Sequence, residues 1–247
     1  MKQDKIFIYG RHALEEALDH NPQSLIRVFL DDKRQNDLVL VKRLKSAGIK
    51  ISPLTGGSQT KDLSHHQGII AKVSLDHLVK QYDDFIATLN VTNQTSLLVL
   101  GEIQDPHNVG AIIRSAAAFG VSGVLLPKHN QAPITGTVVK VSAGMVFKIP
   151  VVQIGNVNHT LRDLKKKGFW IYGLDGAGDK SINEEGFTAP SVFVLGNEAS
   201  GIREKTYSLC DIILSIPIHP RCESLNVATS TAVTLFAWSN RHTDTLK

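Results

Sequence analysis

The sequence predicts an α/β protein in two parts: a smaller N-terminal α/β domain and a C-terminal domain whose mostly parallel sheet is covered by helices. Three observations predict this. Strand-like and helix-like stretches take turns along most of the 247 residues. The runs of the second half are apolar at consecutive positions, as strands buried on both faces require. The pattern weakens once, between Asp76 and Ser96, where Gln81-Tyr-Asp-Asp and Asn90-Val-Thr-Asn-Gln-Thr-Ser are polar and turn-forming. The expected boundaries are therefore residues 1–75 for the first domain, 76–95 for a linker and 96–247 for the second domain.

In the first part, Ile6–Tyr9 reads as a strand, Arg11–Asp19 as a helix, Ile26–Leu30 as a strand, and Asp37–Ala47 as a helix stopped by Gly48. Ile49–Ile51 and Gly68–Val73 complete it as strands. The second part opens with the strand Leu97–Leu100 and the helix Val109–Phe119, stopped by Gly120. It continues through the strand Val121–Leu126, a short helix near Thr135–Ser142, the strand Ile149–Gln153 and a helix from Val157 to Lys167 closed by Gly168. Strands at Phe169–Tyr172, Ser191–Leu195 and Asp211–Ile216 follow. A helix rich in small residues runs through Ala228–Trp238, with Ser224 placed to cap it. Lys165-Lys-Lys167 fits a solvated helix end, where cations complement the dipole.

Composition bounds the function. The formal net charge is +4 and the pI near 9.0, which permits an anionic partner. Residues 1–75 hold 12 basic against 8 acidic residues, so the net charge is concentrated there, as on a nucleic-acid contact surface. Two cysteines, Cys210 and Cys222, are too few for a disulfide framework, and neither they nor the ten histidines have metal-ligand spacing. A reduced, cytoplasmic compartment and no structural metal are expected. No signal-peptide core and no apolar run of spanning length occurs in the sequence. The dinucleotide glycine fingerprint, the phosphate-binding GxxxxGK[ST] loop and the GxSxG nucleophile elbow are all absent.

Three segments remain, each following a predicted strand, where α/β sheets bind ligands. In Asp105-Pro-His-Asn-Val-Gly-Ala-Ile-Ile-Arg-Ser-Ala, one arginine, Arg114, stands on a helix of small and apolar residues. It either pairs with a carboxylate such as Glu102 or Asp105, or aims a guanidinium at phosphate or ribose. Asn108 either caps that helix or orients Arg114 or a substrate hydroxyl. In Leu195-Gly-Asn-Glu-Ala-Ser-Gly-Ile202, Gly196 and Gly201 allow a sharp turn near a ligand, and Glu198 is either a helix-dipole acid or a site carboxylate. Ile216-Pro-Ile-His-Pro-Arg-Cys-Glu-Ser-Leu-Asn-Val227 opens the last helix.

Taken together, these three ordered motifs resemble those of the SpoU (TrmH-type) RNA ribose methyltransferases of the SPOUT superfamily. Ile8-Tyr-Gly-Arg-His-Ala-Leu-Glu-Glu-Ala-Leu18 and His66-Gln-Gly-Ile69 are similar to that family's N-terminal RNA-binding domain. The resemblance implies a deep trefoil knot in the C-terminal domain, S-adenosylmethionine as cofactor, and a homodimer with the active site at its interface. It implies methyl transfer to a ribose 2′-hydroxyl of structured RNA, not DNA, with a guanosine of 23S rRNA as expected substrate. The alternatives are the same chemistry on tRNA, or a non-catalytic RNA-binding or ribosome-assembly protein. Carried over by motif, Gly196, Ile216 and Leu225 would hold the cofactor. Arg114 would be catalytic, with Asn108, Glu198, Ser224 and Asn226 shaping the site. His219-Pro-Arg-Cys-Glu223 departs from the glycine-containing stretch usual at that point, and Pro220 removes flexibility and a donor.

Overall fold

The computed structural model describes residues 4–54 and 67–246. His66, part of one motif singled out above, lies outside the described residues. The chain divides into two compact units, one drawn from residues up to 79 together with 134–148, the other from 80–133 and 149–247.

The first unit runs β1 (Lys5–Tyr9), α1 (Arg11–His20), β2 (Leu25–Leu30), α2 (Asp32–Gln35), α3 (Leu38–Ser46), β3 (Lys50–Pro53), β4 (Ile69–Ser74) and α4 (Leu75–Leu78). Among the described residues its sheet has the order β1-β4-β2-β3, with β4 antiparallel to both neighbours and β2 parallel to β3. Alternation along β1 buries Ile6 and Ile8. The helical period buries Leu14, Ala17 and Leu18 on α1 and Leu40 and Leu44 on α3. Asp37 ends the preceding loop by accepting from Leu40 N at 3.1 Å, and Arg11 pairs with it at 2.7 Å. That amide, with the Arg11 guanidinium, holds the Asp37 carboxyl below its usual range.

The second unit begins with β5 (Val79–Gln81), α5 (Tyr82–Thr88), β6 (Ser96–Leu100), α6 (Pro106–Ala118) and β7 (Gly123–Pro127). The chain then contributes α7 (Gly136–Val141) to the first unit. It returns through β8 (Val151–Ile154), α8 (Val157–Lys166), β9 (Trp170–Leu174), β10 (Lys180–Ser181), β11 (Ser191–Leu195), α9 (Glu204–Tyr207), β12 (Ile212–Ser215) and α10 (Val227–Ser239). Among the described residues the strand order is β10-β12-β9-β11-β6-β7-β8-β5, and every pairing from β10 through β8 is parallel. All five residues of β6, β7 and β11 are buried, as the consecutive apolar runs predict. Leu97, Val99, Val192 and Val194 face one core with Leu161 and Leu164 of α8.

Two features differ from the reading of the sequence. The stretch 76–95 is not a plain linker, because it contains β5 and α5, and Phe85 is buried in the second unit's core with Tyr82, Ile86 and Leu89 against it. Tyr82 also donates to Asp163 at 2.6 Å. Asp83, Asp84 and Thr88 face water while Tyr82, Phe85, Ile86 and Leu89 pack inward, so the polar composition of the stretch masks the helix. The residues 134–148 do not stay with the second unit. Gly136 comes so close to β1 that a Cβ would stand 2.4 Å from Phe7 O, and Lys148 pairs with Glu16 at 2.9 Å. Such non-local contacts leave no trace in local periodicity. Lys165, read as part of a solvated helix end, pairs with Asp211 at 2.7 Å.

Phe85→Ala should cost about 3–5 kcal/mol in urea unfolding, as large-to-small changes in a core do, whereas a linker position would cost nothing measurable. The Cys210 thiol, half-buried, is pushed up to about 12 by burial, and Asp211 adds to the shift against the opposing Lys165. Because only the thiolate attacks, alkylation at pH 8 should add one group to the native chain, on exposed Cys222, and two after unfolding. Equal native labelling of both would contradict this.

Candidate active site

The first motif builds a helix that starts earlier than its apolar period suggests. Asp105, not Asn108, is the cap: its carboxylate accepts from His107 N at 2.8 Å, and Pro106 occupies the first helical position, where no amide is needed. Asn108 is thereby left in the first turn with its side chain available. Val109, Gly110, Ile112, Ile113 and Ala116 are buried and seat α6, which packs against α10.

In the third motif the expected cap is likewise displaced. Asn226, not Ser224, caps α10, accepting from Ala228 N at 2.8 Å and Thr229 N at 3.3 Å. Thr231 and Thr234 are buried, and each donates to the carbonyl four residues back. That satisfies their hydroxyls and lets a helix so rich in Ser and Thr pack tightly.

The two helix N-termini meet the second motif through one chain of hydrogen bonds. Asn226 Nδ2 donates to Asn108 Oδ1 at 3.0 Å, and Asn108 Nδ2 donates to Glu198 Oε1 at 3.1 Å. Glu198 also accepts from Gln104 N and Asp105 N, each at 3.4 Å. A carboxylate at the amino end of α6 is favoured by the helix dipole as well as by these donors. Residues as far as 118 positions apart in sequence thus converge, as the motifs together predict.

Arg114 does not join this chain. It is exposed, six residues further along α6, about 9 Å down the axis. Among the described residues it makes no hydrogen bond or ion pair. The carboxylates that would have neutralised it are engaged elsewhere: Glu102 with Arg203 at 2.7 Å, and Asp105 in the cap. The helix α6 therefore has held amides and a carboxylate at its amino end and, further along, one guanidinium without a protein partner among the described residues.

Of the remaining expected residues, Gly196 follows β11, where a Cβ would lie 2.3 Å from Gly201 C, so only glycine fits. Ile216 and Leu225 are half-buried and Ser224 is exposed. Ile216 to Ile218 extend beyond β12 with no backbone hydrogen bond outside the sheet ladder among the described residues, leaving amides and carbonyls for a ligand. Half-buried aliphatic side chains and open backbone groups suit the adenosine and amino-acid portions of S-adenosylmethionine. Pro220 has a local reason: Cys222 N donates to His219 O at 2.9 Å, closing a turn in which Pro220 takes the second position.

Asn197, in the second motif, is a structural residue that the sequence reading passes over. Its Nδ2 holds Glu102 O at 2.9 Å, and its Oδ1 accepts from Ala199 N and Ser200 N. An asparagine before Glu-Ala-Ser-Gly is the available signal for such a side-chain turn. Glu102, at φ 67°, carries no sequence signal at all.

Comparison with known proteins identifies the family. Residues 95–236 match the model of the SpoU rRNA Methylase family, and residues 7–78 match one described as RNA 2′-O ribose methyltransferase substrate binding. The chain is 34% identical over 239 residues to the 23S rRNA (guanosine-2′-O-)-methyltransferase RlmB of Shewanella oneidensis, covering 95% of this chain and 96% of the relative. It is 35% identical over 237 residues to the protein of the same name from Escherichia coli, covering 93% and 96%. Among solved structures, the SpoU methyltransferase AviRb from Streptomyces viridochromogenes in complex with AdoMet superposes with a TM-score of 0.84, covering 98% of this chain and 92% of that one, at 21% identity. The chain belongs to the SpoU rRNA Methylase family.

Proposed function

We propose that this protein transfers a methyl group from S-adenosylmethionine to the ribose 2′-hydroxyl of a guanosine in 23S rRNA. The observation that carries the reading is the unpaired Arg114 on the helix whose first turn anchors the Asn226–Asn108–Glu198 chain, in a protein whose relatives bear that activity in their names.

When bound, the cofactor supplies an electrophilic sulfonium methyl. The chain's own work is on the substrate side, where a 2′-hydroxyl is a weak nucleophile that must be held in line and lose its proton. An arginine stays charged, so Arg114 serves as the group that fixes ribose and phosphate and stabilises the developing alkoxide. The substrate phosphate is the acceptor that the reading assigns to the proton. Asn108 and Asn226 present fixed amides, and Glu198 sets their orientation. Ser224 lies at the same edge as a further polar contact. Gly196, Ile216 and Leu225 hold the cofactor largely through backbone groups.

The reading extends to assembly. Val233 and Phe236 of α10 are exposed, Phe236 at 55%, and Phe119 packs edge-on against it with centroids 6.1 Å apart. We infer that this apolar surface pairs with a second copy in a homodimer whose interface includes the active site. The C-terminal domain is further inferred to carry the family's deep trefoil knot, an exception to the general rule against threaded chains. The N-terminal unit is the RNA-binding part, supported by its basic composition and its match to the substrate-binding model. A ribosomal substrate puts the protein in the cytoplasm, and among the described residues no helix is long and apolar enough to cross a membrane.

Arg114→Ala should abolish methyl transfer, read as labelled methyl incorporated into rRNA, while calorimetric cofactor affinity stays within a few-fold. Near-normal turnover would remove Arg114 from the mechanism. Changing the exposed Lys33, Lys42 and Lys45 together to Glu should weaken RNA binding and flatten the dependence of log Kd on log salt by roughly 0.7–0.9 for each phosphate the surface ceases to neutralise. An unchanged slope would take RNA binding away from this surface.

A further inference from the structure

Consecutive residues after β11 grip the loop that leaves β6 from two sides. Glu198 takes the Gln104 and Asp105 amides and Asn108, while Asn197 takes Glu102 O. Beside the Asn197 grip, at the carboxyl ends of β6, β7, β8 and β11, opens a cleft of about 230 Å³. None of the residues assigned above to the reaction or the cofactor lines it.

Pro127, Val157 and Ile202 give the cleft apolar walls, and Asn156, Asn158 and Arg203 border it. The two asparagines are held by their oxygens: Asn156 Oδ1 accepts from His159 N at 3.0 Å, and Asn158 Oδ1 from the Thr206 hydroxyl at 2.7 Å. Both side-chain NH2 groups are then left without a protein acceptor among the described residues. Arg203 donates to Glu102 at 2.7 Å through one nitrogen only, and its side chain is 67% exposed, so most of its fork of donors faces water. Glu102 is held here at φ 67°, a backbone region costly for a side-chain-bearing residue, by the Asn197 and Arg203 contacts.

A cleft with both apolar walls and two fixed donors suits a flat heterocycle bearing acceptors on its edge, and an adjoining guanidinium suits a phosphate. The volume is below that of a site for a whole cofactor or drug-sized ligand. We propose that the cleft is a second nucleotide subsite, which takes one unstacked base of the RNA strand near the methylated nucleotide, with Arg203 on its phosphate. The inference rests on the RNA methyltransferase reading. It gives the enzyme a way to select sequence away from the reacting ribose, since the loop between Gly101 and Asp105 is shared by both sites. The same chemistry occurs in the adenine of the cofactor, and the test separates the two sources.

The test uses the full-length protein and an rRNA fragment that it methylates, with the nucleotides flanking the modified one replaced singly by abasic residues. Affinity is read by fluorescence anisotropy for the wild type, Arg203→Ala and Val157→Trp, and cofactor affinity by calorimetry, which also verifies folding. For the wild type, removal of one particular flanking base is expected to weaken binding about tenfold, the scale of losing one stacked base. Both variants should lose a similar factor on intact RNA and become insensitive to that same removal, with cofactor affinity unchanged within twofold. Losses that add regardless of abasic position overturn the subsite, and a fall in cofactor affinity assigns the cleft to the adenine instead. If the wild type methylates no rRNA fragment, the underlying reading fails and the subsite with it.

Discussion

Gly101 N donates to Leu195 O at 2.7 Å, just where β6 and β11 stop being strands, and a Cβ on residue 101 would stand 2.2 Å from that oxygen. One residue later in the partner loop, Gly196 lies as close to the backbone of Gly201. The two loops can touch only because residue 101 lacks a side chain, and the second loop can fold back on itself only because residue 196 does. Everything polar at this edge depends on that contact. It lets Asn197 and Glu198 reach across to the segment 102–108, and it brings the amino end of α6 within reach of Asn226 on α10.

The helices meet this constraint in complementary ways. Asp105 and Asn226 satisfy the first amides of α6 and α10. Because Asp105 does the capping, Asn108 is free to bridge Glu198 and Asn226, and the three side chains fix one another's orientation. Fully bonded polar networks of this kind are rigid, whereas a half-satisfied one would destabilise the edge. Arg114 stands apart from the network on the same helix. Its independence follows from Glu102 and Asp105 being engaged elsewhere.

The first unit follows a different logic. Its mixed sheet is covered by α1 and α3 and is completed by a segment, 134–148, that comes from the middle of the chain. Three chain crossings between units, near residues 79, 133 and 148, make the two parts inseparable by a single cut.

Much of this was legible from residue order. The strands from Leu97 to Ile216 and the helices between them declare themselves because burial on both faces demands unbroken apolar runs, and a helix on a sheet demands a 3.6-residue period. The three motifs at strand ends were legible as segments that meet, since polar residues after such strands lie at the carboxyl edge of a parallel sheet. What the sequence could not determine was partnership. Asp105, Asn108, Ser224 and Asn226 are all plausible caps, and only the approach of α6 to α10 decided which two cap and which one bridges. The helix at Tyr82–Thr88 was hidden because the polar residues on either side of it mask the helical spacing of Tyr82, Phe85, Ile86 and Leu89, of which only Phe85 is fully buried. The cleft beside Arg203 was invisible for the same reason as the 134–148 docking. Both are made by residues distant in sequence, and non-local contact is decided by the tertiary fold, while local pattern records only how each element divides its faces between core and water.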